Sequence, residues 1–126
     1  MNKTDATQSK ISFQNVVLER ILRADAEKSA VVGVLIFGSR ARGDHGEVSD
    51  VDLGVVFSGD EPSIDSQSDW DLFLWSQERW DSGFALQIEL ARSAEILYDP
   101  HGVILAKLES IRHHILPHWE IHLKQF

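Results

Sequence analysis

Apolar residues fall at Phe13, Val16, Val17, Ile21 and Leu22, the recurrence expected of one helical face. The spacing predicts a helix over Phe13–Ala30 with Ser12 as its N-cap. The period then changes. Val31-Val32-Gly33-Val34-Leu35-Ile36-Phe37 is an unbroken apolar run, rich in β-branched residues. It predicts a strand buried on both faces. The run stops at Gly38-Ser39, and Arg40-Ala41-Arg42-Gly43 is expected to open a short helix. Asp44-His45-Gly46-Glu47 is turn chemistry. A second strand is expected over Val51-Asp52-Leu53-Gly54-Val55-Val56-Phe57.

Ser58 to Asp69 is polar, contains Gly59 and Pro62, and reads as a loop. Trp70 to Trp80 reads as a helix, with Trp70, Phe73, Leu74 and Trp80 available for one face. Phe84 to Leu90 alternates: Phe84, Leu86, Ile88 and Leu90 on one side, Ala85, Gln87 and Glu89 on the other. That is the pattern of a half-buried strand. Glu95-Ile96-Leu97-Tyr98 is expected as a short strand closed by the turn Asp99-Pro100-His101-Gly102. Val103 to Ile115 is an amphipathic helix that Pro117 breaks or kinks. Residues 1–10 are polar and expected to fray, and 118–126 form a C-terminal tail. The order of elements predicts a small α/β domain, with residues 1–126 as one unit.

Composition narrows the function. At 126 residues the chain has room for one core. It carries 12 Lys and Arg against 20 Asp and Glu, a formal net charge of −8. An acidic chain repels a polyanion, so nucleic acid is an unfavoured partner. A small anion held by a few N–H groups or a metal remains compatible. With no cysteine, disulfides, thiolate nucleophiles and cysteine-bound zinc are excluded. No apolar run approaches the roughly 18–20 residues that span a bilayer, and the N-terminus lacks a signal-peptide stretch. The expectation is a cytoplasmic protein without a membrane partner.

Chemistry concentrates between Phe37 and Leu53. A buried strand that ends in Gly-Ser and turns into a helix leaves N–H groups pointing outward, which favours a phosphate. Gly38 permits close approach to the backbone, and Ser39 adds a hydroxyl donor. Asp50 and Asp52 are spaced i, i+2, which in a strand puts both carboxylates on one face. A divalent cation relieves their repulsion, and hard oxygen ligands select Mg²⁺ or Mn²⁺. Each feature alone is commonplace as a turn or a solvated strand end. Together, beside two buried strands, they describe a site for a nucleoside triphosphate.

The stretch Gly38-Ser39-Arg40-Ala41-Arg42-Gly43, followed by Ser49-Asp50-Val51-Asp52-Leu53, resembles the signature of the DNA polymerase beta-like nucleotidyltransferase superfamily. The compact chain resembles its minimal nucleotidyltransferases. The resemblance implies a small mixed β-sheet flanked by helices. It further implies Mg²⁺ at Asp50 and Asp52, and transfer of a nucleoside monophosphate, AMP from ATP above other triphosphates, to an acceptor hydroxyl. Gly38 and Ser39 would hold the β- and γ-phosphates. Arg40 and Arg42 stand beside that anion site as candidate phosphate contacts. Such enzymes take a third carboxylate from a later strand next to the Asp-x-Asp strand. On the strand expected at Phe84–Leu90 the only carboxylate is Glu89, which shares its face with Gln87, so Glu89 is the candidate. The resemblance also implies an antitoxin role beside a HEPN-type helical protein, which it adenylylates.

The alternative is a catalytically degenerate nucleotide-binding or partner-binding module that has lost the third carboxylate. Trp70, Trp75, Trp80 and Trp119 do not fit one helical face, and an exposed aromatic patch would mark nucleobase stacking, a partner protein or a homodimer. His114, His118 and His122 recur every four residues, a spacing that chelates metal only on an unbroken helix.

Overall fold

The computed structural model describes residues 14–23, 29–38, 51–64 and 70–118. Helix α1 (residues 14–23) is followed by strands β1 (Ser29–Phe37), β2 (Val51–Gly59) and β3 (Trp70–Ser76). Helices α2 (Gln77–Ser82) and α3 (Leu86–Ser93), strand β4 (Glu95–Tyr98) and helix α4 (Val103–His114) complete the described elements. The strands form one mixed sheet in the order β3-β2-β1-β4. β1 runs antiparallel to both β2 and β4, while β2 and β3 are parallel.

Strand periodicity distributes the core over two faces of this sheet. On one, Val34, Ile36, Leu53 and Val55 are buried against Val17 and Ile21 of α1, with Leu72 and Leu74 packed at the margin. On the other, Leu35, Phe37 and Val56 are buried against Trp80, Leu90, Ala91, Ile104, Leu108 and Ile111. A sheet covered on both sides needs apolar residues at odd and even positions alike, which is why β1 and β2 read as continuous apolar runs.

Two expected elements are of the other type. The segment expected as a helix over Trp70–Trp80 is β3 followed by α2. Its residues alternate, with Asp71, Phe73 and Trp75 on one side and Leu72 and Leu74 on the other. Pairing with β2, residue for residue from Val51↔Trp70 to Phe57↔Ser76, selects that period. Ser76 ends the strand and caps α2, its Oγ accepting from the N–H of Arg79 at 3.1 Å. The segment expected as a strand over Phe84–Leu90 lies largely in α3. Its buried residues are Gln87, Leu90 and Ala91, a spacing of three and four that belongs to a helix. The helix expected over Phe13–Ala30 gives way to β1 from Ser29. β4 and α4 lie where the sequence places them.

Asp99 anchors α4. Its Oδ1 accepts from the N–H of Ile104 at 3.1 Å and its Oδ2 from the N–H of Leu105 at 2.8 Å, satisfying two donors of the first turn. Asp99→Ala is expected to lower stability by about 0.5–2 kcal/mol, read as a shift in the urea midpoint. An unshifted midpoint would show that solvent replaces the carboxylate at no cost.

Candidate functional site

The site is built where three strands meet side by side. β1 ends at Phe37, which pairs with Asp52 of β2. Asp52 in turn pairs with Asp71 of β3. Paired residues on adjacent strands project to the same face, with strands about 4.8 Å apart. That face also carries Phe37, Phe73 and Trp75. The chain thus sets two carboxylates abreast at the end of the sheet where β1 turns out.

Gly38 makes the turn. Its φ is +79°, a left-handed value that favours glycine. A Cβ at this position would collide with Oδ2 of Asp52, so the Asp52 carboxylate lies against the Gly38 backbone. Asp52 is half-buried and Asp71 exposed. Like charges directly opposite across a strand pair are destabilising, and a cation held at Asp52 lowers that penalty. The donors are hard oxygens, the set that suits Mg²⁺ or Mn²⁺. Among the described residues no group of three or more His, Cys, Asp or Glu is gathered for a metal. Ser39, Arg40, Arg42 and Asp50, all sequence candidates for this site, lie outside the described residues.

Glu89 requires a correction. Its candidacy rested on a strand at Phe84–Leu90 adjoining the Asp-x-Asp strand. Glu89 instead sits in α3, half-buried, with its Oε1 accepting from Ser93 Oγ at 3.4 Å. The strand adjoining β2 is β3, and the carboxylate on it is Asp71. The signal for Asp71 was present in the sequence: an acidic residue between apolar neighbours, heading an alternating run. Gln87, the other residue of the expected strand face, is structural. It is 2% exposed. Its Nε2 donates to the carbonyl of Trp80 at 2.9 Å, and its Oε1 accepts from the N–H of Phe84 at 3.2 Å.

The histidine series does not lie on one unbroken helix where it is described. α4 ends at His114, Ile115 is a turn residue, and His114 and His118 are both exposed. His113 Nε2 lies 3.1 Å from Oε2 of Glu109. His122 lies outside the described residues. Among those described, no helix is long and apolar enough to cross a membrane.

Comparisons with known proteins bear on this geometry. A family model described as "Nucleotidyltransferase domain" matches residues 18–116, which include every described strand. No curated protein sequence matches the chain. Among solved structures, it is similar to a toxin–antitoxin crystallised with AMP-PNP. The TM-score is 0.52 with 16% identity, over 89% of this chain and 96% of that one. It is also similar to a mutant of the toxin–antitoxin MntA-HpeT, with TM-score 0.51 and 15% identity over the same shares. At these identities the likeness is one of fold.

Proposed function

This chain belongs to the nucleotidyltransferase domain family, and from that premise we propose that it transfers AMP from ATP to an acceptor hydroxyl with Mg²⁺ or Mn²⁺. The observation that carries the reading is the pairing of Asp52 with Asp71 beside the left-handed turn at Gly38. A nucleotidyl transfer needs three things at one place: a cradle for the departing pyrophosphate, charge neutralisation at the α-phosphate, and a base for the attacking hydroxyl. Gly38 and Ser39 supply backbone N–H groups and a hydroxyl for the β- and γ-phosphates. Arg40 and Arg42, immediately following, add charge-assisted contacts to the same oxygens. Asp50 and Asp52 would hold the divalent ion, which would supply charge neutralisation for the triphosphate against the acidic face. Asp71 stands on the far side of Asp52 from the cradle, where an in-line attacker approaches, and takes its proton.

The degenerate alternative rested on the lack of a carboxylate on the adjoining strand. Asp71 occupies that strand, so the catalytic reading is preferred. A neighbour of like fold was studied as a mutant in which two aspartates, two positions apart, are replaced by glutamate. That is the spacing of Asp50 and Asp52. The neighbours of like fold are toxin–antitoxin structures, which supports an antitoxin role; a HEPN-type helical protein as partner and acceptor, and a cytoplasmic location, complete the reading.

Calorimetric titration with ATP, with and without Mg²⁺, tests the site. Binding is expected to require Mg²⁺ and to weaken about tenfold or more in Asp52→Asn, a loss of about 1.4 kcal/mol. The thermal midpoint should be retained. An Asp52→Asn protein that binds as the wild type does would remove Asp52 from the metal site.

A further inference from the structure

The aromatic rings on the site face form a packed row. Phe37 and Phe73 have ring centroids 5.3 Å apart and tilted by 54°. Phe73 and Trp75 are stacked at 6.0 Å and 28°. Trp75 continues the row to Trp80 at 5.9 Å and Phe84 at 5.0 Å. Gly54, paired with Phe73 in register, makes space for this. A Cβ there would collide with Cζ3 of Trp75, so the indole lies across β2. The row is buried at Trp80 and Phe37 but opens to solvent at Phe73, which is 37% exposed. Phe73 is therefore an outer ring backed by two others. It follows Asp71 by two residues on the same strand and face.

We propose that Phe73 is the stacking platform for the base of the bound nucleotide. The inference rests on the nucleotidyl-transfer reading and adds to it a residue for the nucleobase. The direction across the sheet carries the argument. The phosphate cradle follows β1, Asp52 stands on β2, and Asp71 and Phe73 stand on β3. A triphosphate anchored at the cradle, with its α-phosphorus over the carboxylates and its attacker in line on the Asp71 side, sends its nucleoside across that line, along β3. Two residues of strand advance about 7 Å from Asp71, a step that a ribose spans. A phenyl ring carries no hydrogen-bonding group, so it selects for a planar base without reading its edge. Packing against Phe37 and Trp75 restricts the ring before the ligand arrives, which lowers the ordering cost of stacking. Purines offer the larger stacking surface, so ATP and GTP are favoured over CTP and UTP.

The test is calorimetry in Mg²⁺ with two probes, ATP and inorganic tripolyphosphate, on wild type, Phe73→Ala and Phe73→Tyr. Phe73→Ala is expected to weaken ATP binding about 5- to 150-fold and to leave tripolyphosphate binding unchanged. Phe73→Tyr, which keeps the ring, is expected to bind ATP as the wild type does. Wild-type ATP affinity in Phe73→Ala would overturn the proposal. So would an equal loss of both probes, which would mean a distorted phosphate site rather than a missing platform. A wild-type protein that binds neither probe would defeat the nucleotide reading itself, and this inference with it, before any variant is needed.

Discussion

Asp71→Asn is expected to lower the rate of AMP transfer by about 10²- to 10⁴-fold, the usual range for a lost general base. Mg²⁺-dependent ATP binding should persist. Asparagine has the shape of aspartate but no basic oxygen to accept a proton. Asp71 is exposed, so the exchange should move stability by no more than about 0.5 kcal/mol. The rate is read as transfer of label from α-phosphate-labelled ATP to proteins of a cell lysate. Glu89→Gln is the necessary partner measurement. It removes the carboxylate that the sequence pattern nominated, on α3 rather than on the strand beside Asp52, and should leave transfer near the wild-type rate. The reverse result, an active Asp71→Asn and an inactive Glu89→Gln, would return the third carboxylate to α3.

The placement of Glu89 on α3 and of Asp71 on β3 shows where sequence reading reaches and where it stops. β1 and β2 are legible because burial on both faces demands apolar residues at odd and even positions alike, and few other elements produce such a run. The turn at Gly38 and the spacing to Asp52 are legible because the chemistry is local. β3 is not, because Trp70, Phe73, Leu74 and Trp80 suit a helix face as well as alternation suits a strand. Pairing with β2 decides between them, and pairing is a property of two segments at once. The stretch from Phe84 to Leu90 fails in the opposite sense. Its alternation is real but without consequence, because α3 buries Gln87, Leu90 and Ala91 at helical spacing. A buried glutamine there makes sense only once Trp80 and Phe84 are near enough to hydrogen-bond it. The tryptophans follow the same logic. Trp75 and Trp80 are five residues apart, which puts them on different faces of any single helix. A strand followed by a helix brings their rings to 5.9 Å.

That junction also carries the largest fully buried side chain among the described residues, and Trp80→Ala is expected to cost about 3–5 kcal/mol. Trp80 is fully buried. Its ring packs on Trp75 and Phe84, each with a centroid 5.9 Å away. Its Nε1–H donates to the carbonyl of Val103 at 3.3 Å, tying α2 to the start of α4. Truncation leaves a cavity and removes a donor from that carbonyl, and the two penalties act together. Domains of this size commonly have about 5–15 kcal/mol in total, so a loss of this order falls on a large fraction of it. Thermal unfolding should move down by roughly 10–20 °C. Trp80→Phe separates the terms: it keeps most of the apolar contact while deleting the N–H, and should fall well short of the alanine variant. The consequence for function runs through Trp75. Its indole is held between Trp80 and Phe84 behind Phe73, so the support of the exposed ring depends on a residue remote from the carboxylates. An unchanged unfolding midpoint in Trp80→Ala would mean that the second core does not close around the indole, and the rigidity assigned to Phe73 would lose its physical basis.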